Sequence, residues 1–246
     1  MYRYQILIEY DGTNFIGWQV QSKGKSIQKF IQETVSKILK EKIIIFGSGR
    51  TDSGVHAIEQ SAHFDTKNII KNLEKLLLSL NHFLNKKLIS ILSIKKKNLN
   101  FHARFSAKQR IYKYIIFNRT SNPSIERNRG WHIRKNLDVK LMQDGAKKLL
   151  GTLDFSAFRA SSCNAKSPVR TMTLVKIKKT NDKIEIRFKS KSFLQQQVRS
   201  MVGCLKYLSE KKWNLIKFEK VLKSKKRTLC APPAPPHGLY LEKVIY

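Results

Sequence analysis

From Gly47 to Ala57 the chain reads Gly-Ser-Gly-Arg-Thr-Asp-Ser-Gly-Val-His-Ala, entered from the β-branched run Ile43-Ile44-Ile45-Phe46. The apolar run has the composition of a buried strand. Gly47, Gly49 and Gly54 cannot extend it far, because glycine frees the backbone for turns that other residues resist. Any fold of this chain therefore ends a strand in a turn that carries Arg50, Asp52 and His56. A single carboxylate beside a guanidinium, on a strongly basic chain, points to chemistry on an anionic polymer.

Lys and Arg number 49 against 17 Asp and Glu, a formal charge of +32 over 246 residues. A field of that sign draws polyanions and speeds encounter with them. Lys, Ile and Asn crowd nearly every segment, so composition bias supplies part of the magnitude. It does not account for aromatics interleaved with cations in Phe101-His102-Ala103-Arg104-Phe105 and Arg110-Ile111-Tyr112-Lys113-Tyr114. That mixture suits bases stacked on rings and phosphates held by cationic groups, so nucleic acid is the expected partner. No basic amphipathic helix stands alone and no apolar run spans a bilayer, which disfavours a membrane partner. Cys163, Cys204 and Cys230 are odd in number, far apart and without CxxC spacing, which sets aside a disulfide framework and a zinc site. A reducing cytosol is the expected compartment, with Met1-Tyr2-Arg3-Tyr4 leading straight into strand-like sequence rather than a signal peptide.

Strands and helices alternate along the first half. Tyr4 to Tyr10 reads as a strand closed by the turn pair Asp11-Gly12, and Ile27, Phe30, Ile31, Thr34, Val35, Ile38 and Leu39 recur at helical spacing behind Ser26 as N-cap. After the Ile43 strand come a strand from Gln60 to Phe64, a helix on Ile69, Ile70, Leu73, Leu76, Leu77 and Leu80 capped by Asn68, and a strand from Leu88 to Ile94. The second half continues with a strand from Arg110 to Asn118 and a helix on Leu141, Met142, Ala146, Leu149 and Leu150 ending at Gly151. A hairpin turning at Asn181-Asp182 and a helix from Phe193 to Leu208 follow. The stiff Pro232 to Pro236 connector then leads into a last strand from Leu239 to Ile245. The expected architecture is α+β: two similar lobes, 1–105 and 106–246, forming a mostly antiparallel central sheet flanked by helices, with the active-site cleft between them.

Two nucleotide-binding signatures fail on inspection. Gly47-x-Gly49 is followed by Asp52 where a dinucleotide fingerprint needs glycine, and Gly24-Lys25-Ser26 has Gln19 where a P-loop needs its first glycine. No nucleotide cofactor is expected. Asp52 has a plain reading as a turn residue, since Asp favours turns. Arg50 alters that reading: if both residues extend from the strand, a spacing of two puts them on one face. The guanidinium would then keep the carboxylate ionised as a nucleophile. Paired-carboxylate hydrolysis and two-metal catalysis need more acids than this neighbourhood holds, so no metal is expected. His56 has no clustered partners and reads first as a structural histidine; Tyr114, Ile115 and Phe117 read as core. Arg199 lies among core-spaced residues of its helix, and a solvated helix face is its plain alternative.

Gly49-Arg50-Thr51-Asp52-Ser53-Gly54-Val55-His56-Ala57 resembles the active-site stretch of the tRNA pseudouridine synthase A family. The likeness runs the length of the chain, through Glu9-Tyr10-Asp11-Gly12, Phe15-Ile16-Gly17-Trp18-Gln19, Gln60 to Phe64, Phe101 to Ala107 and Arg110 to Tyr114. It continues in Asp154-Phe155-Ser156-Ala157-Phe158-Arg159, Val198-Arg199 with Gly203, and Gly238-Leu239-Tyr240-Leu241. The resemblance implies isomerisation of uridine to pseudouridine at positions 38, 39 or 40 of the tRNA anticodon stem-loop, without cofactor. It implies Asp52 as nucleophile paired with Arg50, Tyr112 stacking on the target base and helping to move the C5 proton, and Arg199 reinforcing the charge network. Leu239 or Leu241 would pack against the base, with Gln19, His56, Phe101, Arg104, Arg110, Arg159 and Arg170 as further substrate contacts. It also implies a homodimer with RNA crossing both subunits. Gln195-Gln196-Gln197 stands where the family often carries histidine, and the connector Pro232 to Pro236 replaces a more polar segment. Whether Asp52 attacks the sugar or first acts as a base to form a glycal stays open. The alternatives are a non-catalytic RNA-binding or RNA-chaperone protein, and a related synthase acting on ribosomal RNA.

Binding driven by phosphate neutralisation has a measurable signature. Affinity for tRNA is expected to fall about a hundredfold or more between roughly 50 and 200 mM salt, measured by filter binding. A flat profile would reduce the charge to composition bias.

Overall fold

The computed structural model describes all 246 residues. In chain order it begins β1 (Tyr2–Tyr10), α1 (Ile27–Leu39), β2 (Phe46–Gly47), β3 (His56–Thr66), α2 (Leu73–Leu84) and β4 (Ile89–Lys97). There follow β5 (Gln109–Phe117), β6 (Trp131–His132), α3 (Val139–Lys147), β7 (Gly151–Asp154), β8 (Val169–Thr180) and β9 (Lys183–Ser190). The chain closes with α4 (Gln197–Ser209), α5 (Leu215–Ser224) and β10 (Leu239–Ile245). Pairing is mostly antiparallel, and the fold is α+β. Two compact units are resolved, Met1–Lys108 with Tyr240–Tyr246, and Gln109–Leu239. The final strand, read from sequence as part of the second lobe, thus lies almost wholly in the first unit. Its Tyr240 and Leu241 pair in parallel with His56 and Ala57 of β3.

In the first unit the strands run in the order β4-β1-β3-β10, with β2 beside β3. Strand β1 buries Tyr4, Ile6, Ile8 and Tyr10, the period of two that a half-covered strand requires. Helices α1 and α2 supply Ile27, Ile31 and Val35, and Leu76, Leu80 and Leu84, to the core. Ser26 caps α1 through Lys29 N, as its position forecasts. Helix α2 begins four residues later than its apolar pattern indicates. Asn72 rather than Asn68 is the N-cap, its Oδ1 accepting from Lys75 N at 2.8 Å. The Ile70 amide is diverted to the Tyr4 hydroxyl at 2.9 Å, which holds Ile69 and Ile70 out of the helix.

The largest departure is the Ile43 strand. Ile43 and Ile45 are buried and Ile44 is exposed, so the segment is extended, yet only Phe46–Gly47 pairs as a strand. Side chains of α1 occupy its backbone groups instead: Ser36 Oγ accepts from Ile43 N, Gln32 Oε1 accepts from Ile45 N, and Gln28 Nε2 donates to Ile45 O. The buried peptide groups are satisfied without a ladder.

The second unit orders its strands β5-β9-β8-β7, with β6 parallel to β5. Strands β8 and β9 form the expected hairpin, with Asn181 at φ 54° in the turn. Helix α3 reaches its C-cap at Lys148, so Gly151 opens β7 at φ +94° instead of ending the helix. Helix α4 starts at Gln197, because Gln196 takes φ 60° and the buried Gln197 Oε1 accepts from Leu194 N. Helix α5, with Phe218, Val221 and Leu222 buried, has no counterpart in the sequence reading.

At the far end of β3 from the Asp52 turn, His63 sits in an aromatic cluster with Phe46, Phe101 and His102. Its Nδ1 accepts from Ala103 N, so the ring is held neutral. Burial, with repulsion from Arg3 and His102, lowers its pKa from 6.5 to about 4. The unfolded chain therefore takes up this proton below pH 6.5 while the folded one refuses it until about 4, and stability falls as pH drops through that window. His102 and His237, lowered chiefly by burial, act with the same sign. The Asp65 carboxylate, held down by Arg3, keeps its contribution to lower pH. The urea midpoint is expected to drop between pH 7 and 4.5 and to drop less in His63→Gln. Equal slopes in the two proteins would remove His63 as a source.

Candidate active site

Neither Arg50 nor Asp52 lies in a strand; both occupy the connection between β2 and β3. Strand alternation therefore does not orient them. Thr51 between them is turned inward and buried, its Oγ1 2.8 Å from the Tyr10 hydroxyl. Its carbonyl accepts from Trp18 N at 3.1 Å. On the C-terminal side, Ser53 Oγ donates to Phe15 O at 3.0 Å, Gly54 N donates to the same carbonyl, and Val55 N returns to Asp52 O at 3.2 Å. On the N-terminal side, Gln60 Nε2 donates to Gly49 O at 2.9 Å and Gln60 Oε1 accepts from Ser48 Oγ at 2.6 Å. The backbone is thus held on both sides of Asp52, which is half-buried. Arg50 is exposed, and its Nε donates to Gln19 Oε1 at 3.2 Å.

His56 opens β3 and is buried. Its ring stacks on Tyr240 at 4.8 Å, and Nδ1 lies 3.1 Å from Gly12 N and 3.0 Å from Asp11 Oδ1. The two contacts are alternatives: a neutral Nδ1 accepts from the amide, and a protonated one donates to the carboxylate. Either way the histidine ties the Asp11-Gly12 turn to the start of β3. Gly12 is required by space, since a Cβ there would lie 2.0 Å from the Val55 carbonyl oxygen.

In the second unit, Tyr112 of β5 is largely buried, opposite Phe188 in register and edge-on to Phe193 at 5.0 Å. Arg199 of α4 is half-buried; its Nε donates to Ala234 O at 2.7 Å, and Ala234 N donates to Arg199 O at 2.9 Å. Helix and proline-rich connector are joined at that point. Next to it the Tyr114 hydroxyl donates to Pro235 O at 2.8 Å. Burial raises the Tyr114 pKa well above its ordinary value, against the pull of Arg199. Leu239 and Leu241 are both buried side chains of β10.

The remaining candidates scatter. Arg110 is buried and donates to Lys191 O, and Arg159 follows the 3₁₀ turn Ser156–Phe158 half-buried. Arg170 donates to Ser167 O and Val169 O, and burial lowers its pKa. Phe101 is 4.9 Å from the Tyr246 ring, and Arg104 lies over the exposed Phe105. Both belong to the His63 end of the first unit; β3 carries the chain from His56 to His63 over roughly 23 Å. Gln19 and Arg50 meet at the loop that carries Asp52, whereas Phe101 and Arg104 lie in the segment packed around His63. Tyr10, Thr51 and Gln60, which fix that loop, are not among the site residues expected from the sequence. Their signal in the sequence is that all three fall within the stretches that resemble the family. No group of three or more His, Cys, Asp or Glu side chains is placed to hold a metal ion, and no helix is long and apolar enough to cross a membrane.

The fold and this loop define an α+β protein that carries a half-buried aspartate and an exposed arginine on a backbone-clamped turn. A family model described as tRNA pseudouridine synthase matches residues 6–106 and 146–246, and the chain belongs to that family. It is 72% identical over 246 residues, the full length of both chains, to tRNA pseudouridine synthase A of Pelagibacter ubique (strain HTCC1062). It is 41% identical, again over the full length of both, to tRNA pseudouridine synthase A of Parvibaculum lavamentivorans.

Gly12→Ala is expected to cost about 2–3 kcal/mol in urea unfolding, because the new methyl group must displace the Val55 carbonyl. An unchanged midpoint would show that the turn holding Asp52 yields freely.

Proposed function

We propose that this chain is an isomerase that converts uridine to pseudouridine in tRNA, with Asp52 as the reacting carboxylate. The observation that carries the reading is the backbone-clamped, half-buried Asp52 turn in a chain belonging to the tRNA pseudouridine synthase family. Isomerisation breaks the bond from C1′ of the ribose to N1 of uracil and rejoins C1′ to C5. It transfers no electrons and consumes no second substrate. Asp52 either attacks C1′ or removes a ribose proton to form a glycal, and both routes need its carboxylate at a fixed position beside the sugar. Arg50, steadied through Nε by Gln19, supplies positive charge beside that carboxylate or a flanking phosphate.

Tyr112 would stack on the uracil and assist loss of the C5 proton, and Leu239 or Leu241 would pack against the base. Arg199 would extend the positive charge from α4. A uridine inside a helix hides its glycosidic bond, so the nucleotide must leave its stack at a cost of a few kcal/mol. Stacking on Tyr112 and phosphate contacts offset that cost. The uridines just 3′ of the anticodon are the proposed targets, in the cytoplasm, with the protein as a homodimer.

Asp52→Asn removes the charge and nearly preserves the shape. Turnover is expected to fall roughly a thousandfold or more while tRNA affinity stays within a few-fold, since phosphates dominate binding. Mapping modified uridines in tRNA incubated with protein alone measures the first, and filter binding the second. Turnover near that of the wild type would take Asp52 out of the chemistry.

A further inference from the structure

Cys204 and Cys230 are separated by 26 positions in sequence, yet their sulfurs lie 3.3 Å apart. Both are free thiols. Cys204 is fully buried on α4, and Cys230 is half-buried where the chain leaves the 3₁₀ turn Arg227–Leu229 for the proline-rich connector. The approach is enforced by packing. Gly203 brings α4 so near the connector that a Cβ there would lie 2.1 Å from the Pro232 carbonyl oxygen. Two residues after Pro232, the Ala234 backbone is bonded in both directions to Arg199. Two thiols held in contact by a rigid helix and a fixed connector need little rearrangement to become bonded.

We propose that Cys204 and Cys230 form a reversible oxidation site, closing to a disulfide when the protein meets a hydroperoxide. The two sulfurs are chemically unequal. The two sulfurs share a hydrogen bond, which together with burial raises the Cys204 pKa. The same bond lowers the Cys230 pKa, with help from Arg227. The half-buried Cys230 is therefore the attacking thiolate, and Cys204 is the resolving thiol. In the first step the Cys230 thiolate attacks one peroxide oxygen. The O–O bond breaks, an S–O bond forms, and hydroxide or alkoxide leaves. In the second, Cys204 sulfur displaces the sulfenic oxygen: the S–S bond forms, the S–O bond breaks, and the Cys204 proton leaves with that oxygen as water. The peroxide is reduced by two electrons and the thiol pair is oxidised by two. A dithiol reverses the change by exchange. The disulfide would tie the start of the connector covalently to the helix that carries Arg199.

The site rests on packing within the second unit and not on the isomerase reading, so its test does not use turnover. Reduced wild-type protein is treated with one equivalent of hydrogen peroxide, alkylated under denaturing conditions and mapped by non-reducing peptide mass spectrometry. The expected product is an intramolecular Cys204–Cys230 peptide pair lacking two hydrogens, with Cys163 still alkylated and with dithiothreitol restoring all three thiols. Cys230→Ser is expected to slow peroxide-dependent thiol loss at least roughly tenfold. Cys204→Ser is expected to stop at a Cys230 sulfenic acid that dimedone traps. Oxidation of Cys163 first, linkage between molecules, a lasting sulfenic acid in the wild type, or no reaction with excess peroxide would each overturn the proposal.

Discussion

Thr51 fixes the loop on which the proposed chemistry depends. A carboxylate on a free loop samples many positions, and ordering each residue costs about 1–2 kcal/mol. A single hydrogen bond contributes only about 1 kcal/mol net, so one contact does not hold such a loop. Here the buried Thr51 hydroxyl meets Tyr10, its carbonyl meets Trp18 N, and Gln60 holds Gly49 and Ser48 from β3. These anchors come from β1, from the segment after the Asp11-Gly12 turn and from the strand that follows the loop. The position of Asp52 is thus a property of the folded first unit rather than of its own local sequence. Gly12 and His56 belong to the same set, because each joins the Asp11-Gly12 turn to the beginning of β3.

Legibility in the sequence followed the range of the interactions involved. Elements set by local periodicity were readable: the alternation in β1, the helical stripe of α1 behind Ser26, the hairpin at Asn181-Asp182 and the final strand. Elements whose backbone partners are side chains from elsewhere were not. Ile43 to Ile45 has strand composition, but Gln28, Gln32 and Ser36 of α1 take its hydrogen bonds. Asn68 looks as able a cap as Asn72, and the Tyr4 hydroxyl, bonded to Ile70 N 66 positions away, decides between them. The candidate site divides in the same way. Arg50 and Asp52 stand out by their chemistry in a glycine-rich turn, although the strand spacing expected to align them does not exist, whereas the residues that clamp the turn are ordinary strand and loop residues. The contact between Cys204 and Cys230 has no trace in spacing, because it arises from a helix meeting a connector.

The few acids in this basic chain mostly serve the fold. Asp65 is held by Arg3, Glu210 by Lys206 and Lys212, Glu219 by Lys148, and Asp182 by Arg119. The Asp65 and Glu210 carboxylates are part-buried, and the more exposed pairs add little stability singly. Their common effect is different: an acid matched to a cation cannot repel an approaching polyanion over distance. The surplus of Lys and Arg remains as an unopposed positive field, screened within about 10 Å at moderate salt.

On the proposed function, attraction and catalysis divide between different parts of the chain. The diffuse positive charge acts on every phosphate of an RNA alike, before and during reaction. Such uniform attraction raises the encounter rate and lowers KM but leaves the barrier from bound substrate unchanged. Only groups that interact more strongly as the glycosidic bond breaks can lower that barrier, and those must be fixed to within a fraction of an ångström before the substrate arrives. The surface lysines, long and solvated, cannot meet that condition. The Asp52 turn, with its backbone satisfied from three directions, can. A change that loosens the turn while sparing the lysines should therefore separate the two properties, leaving RNA bound and unmodified.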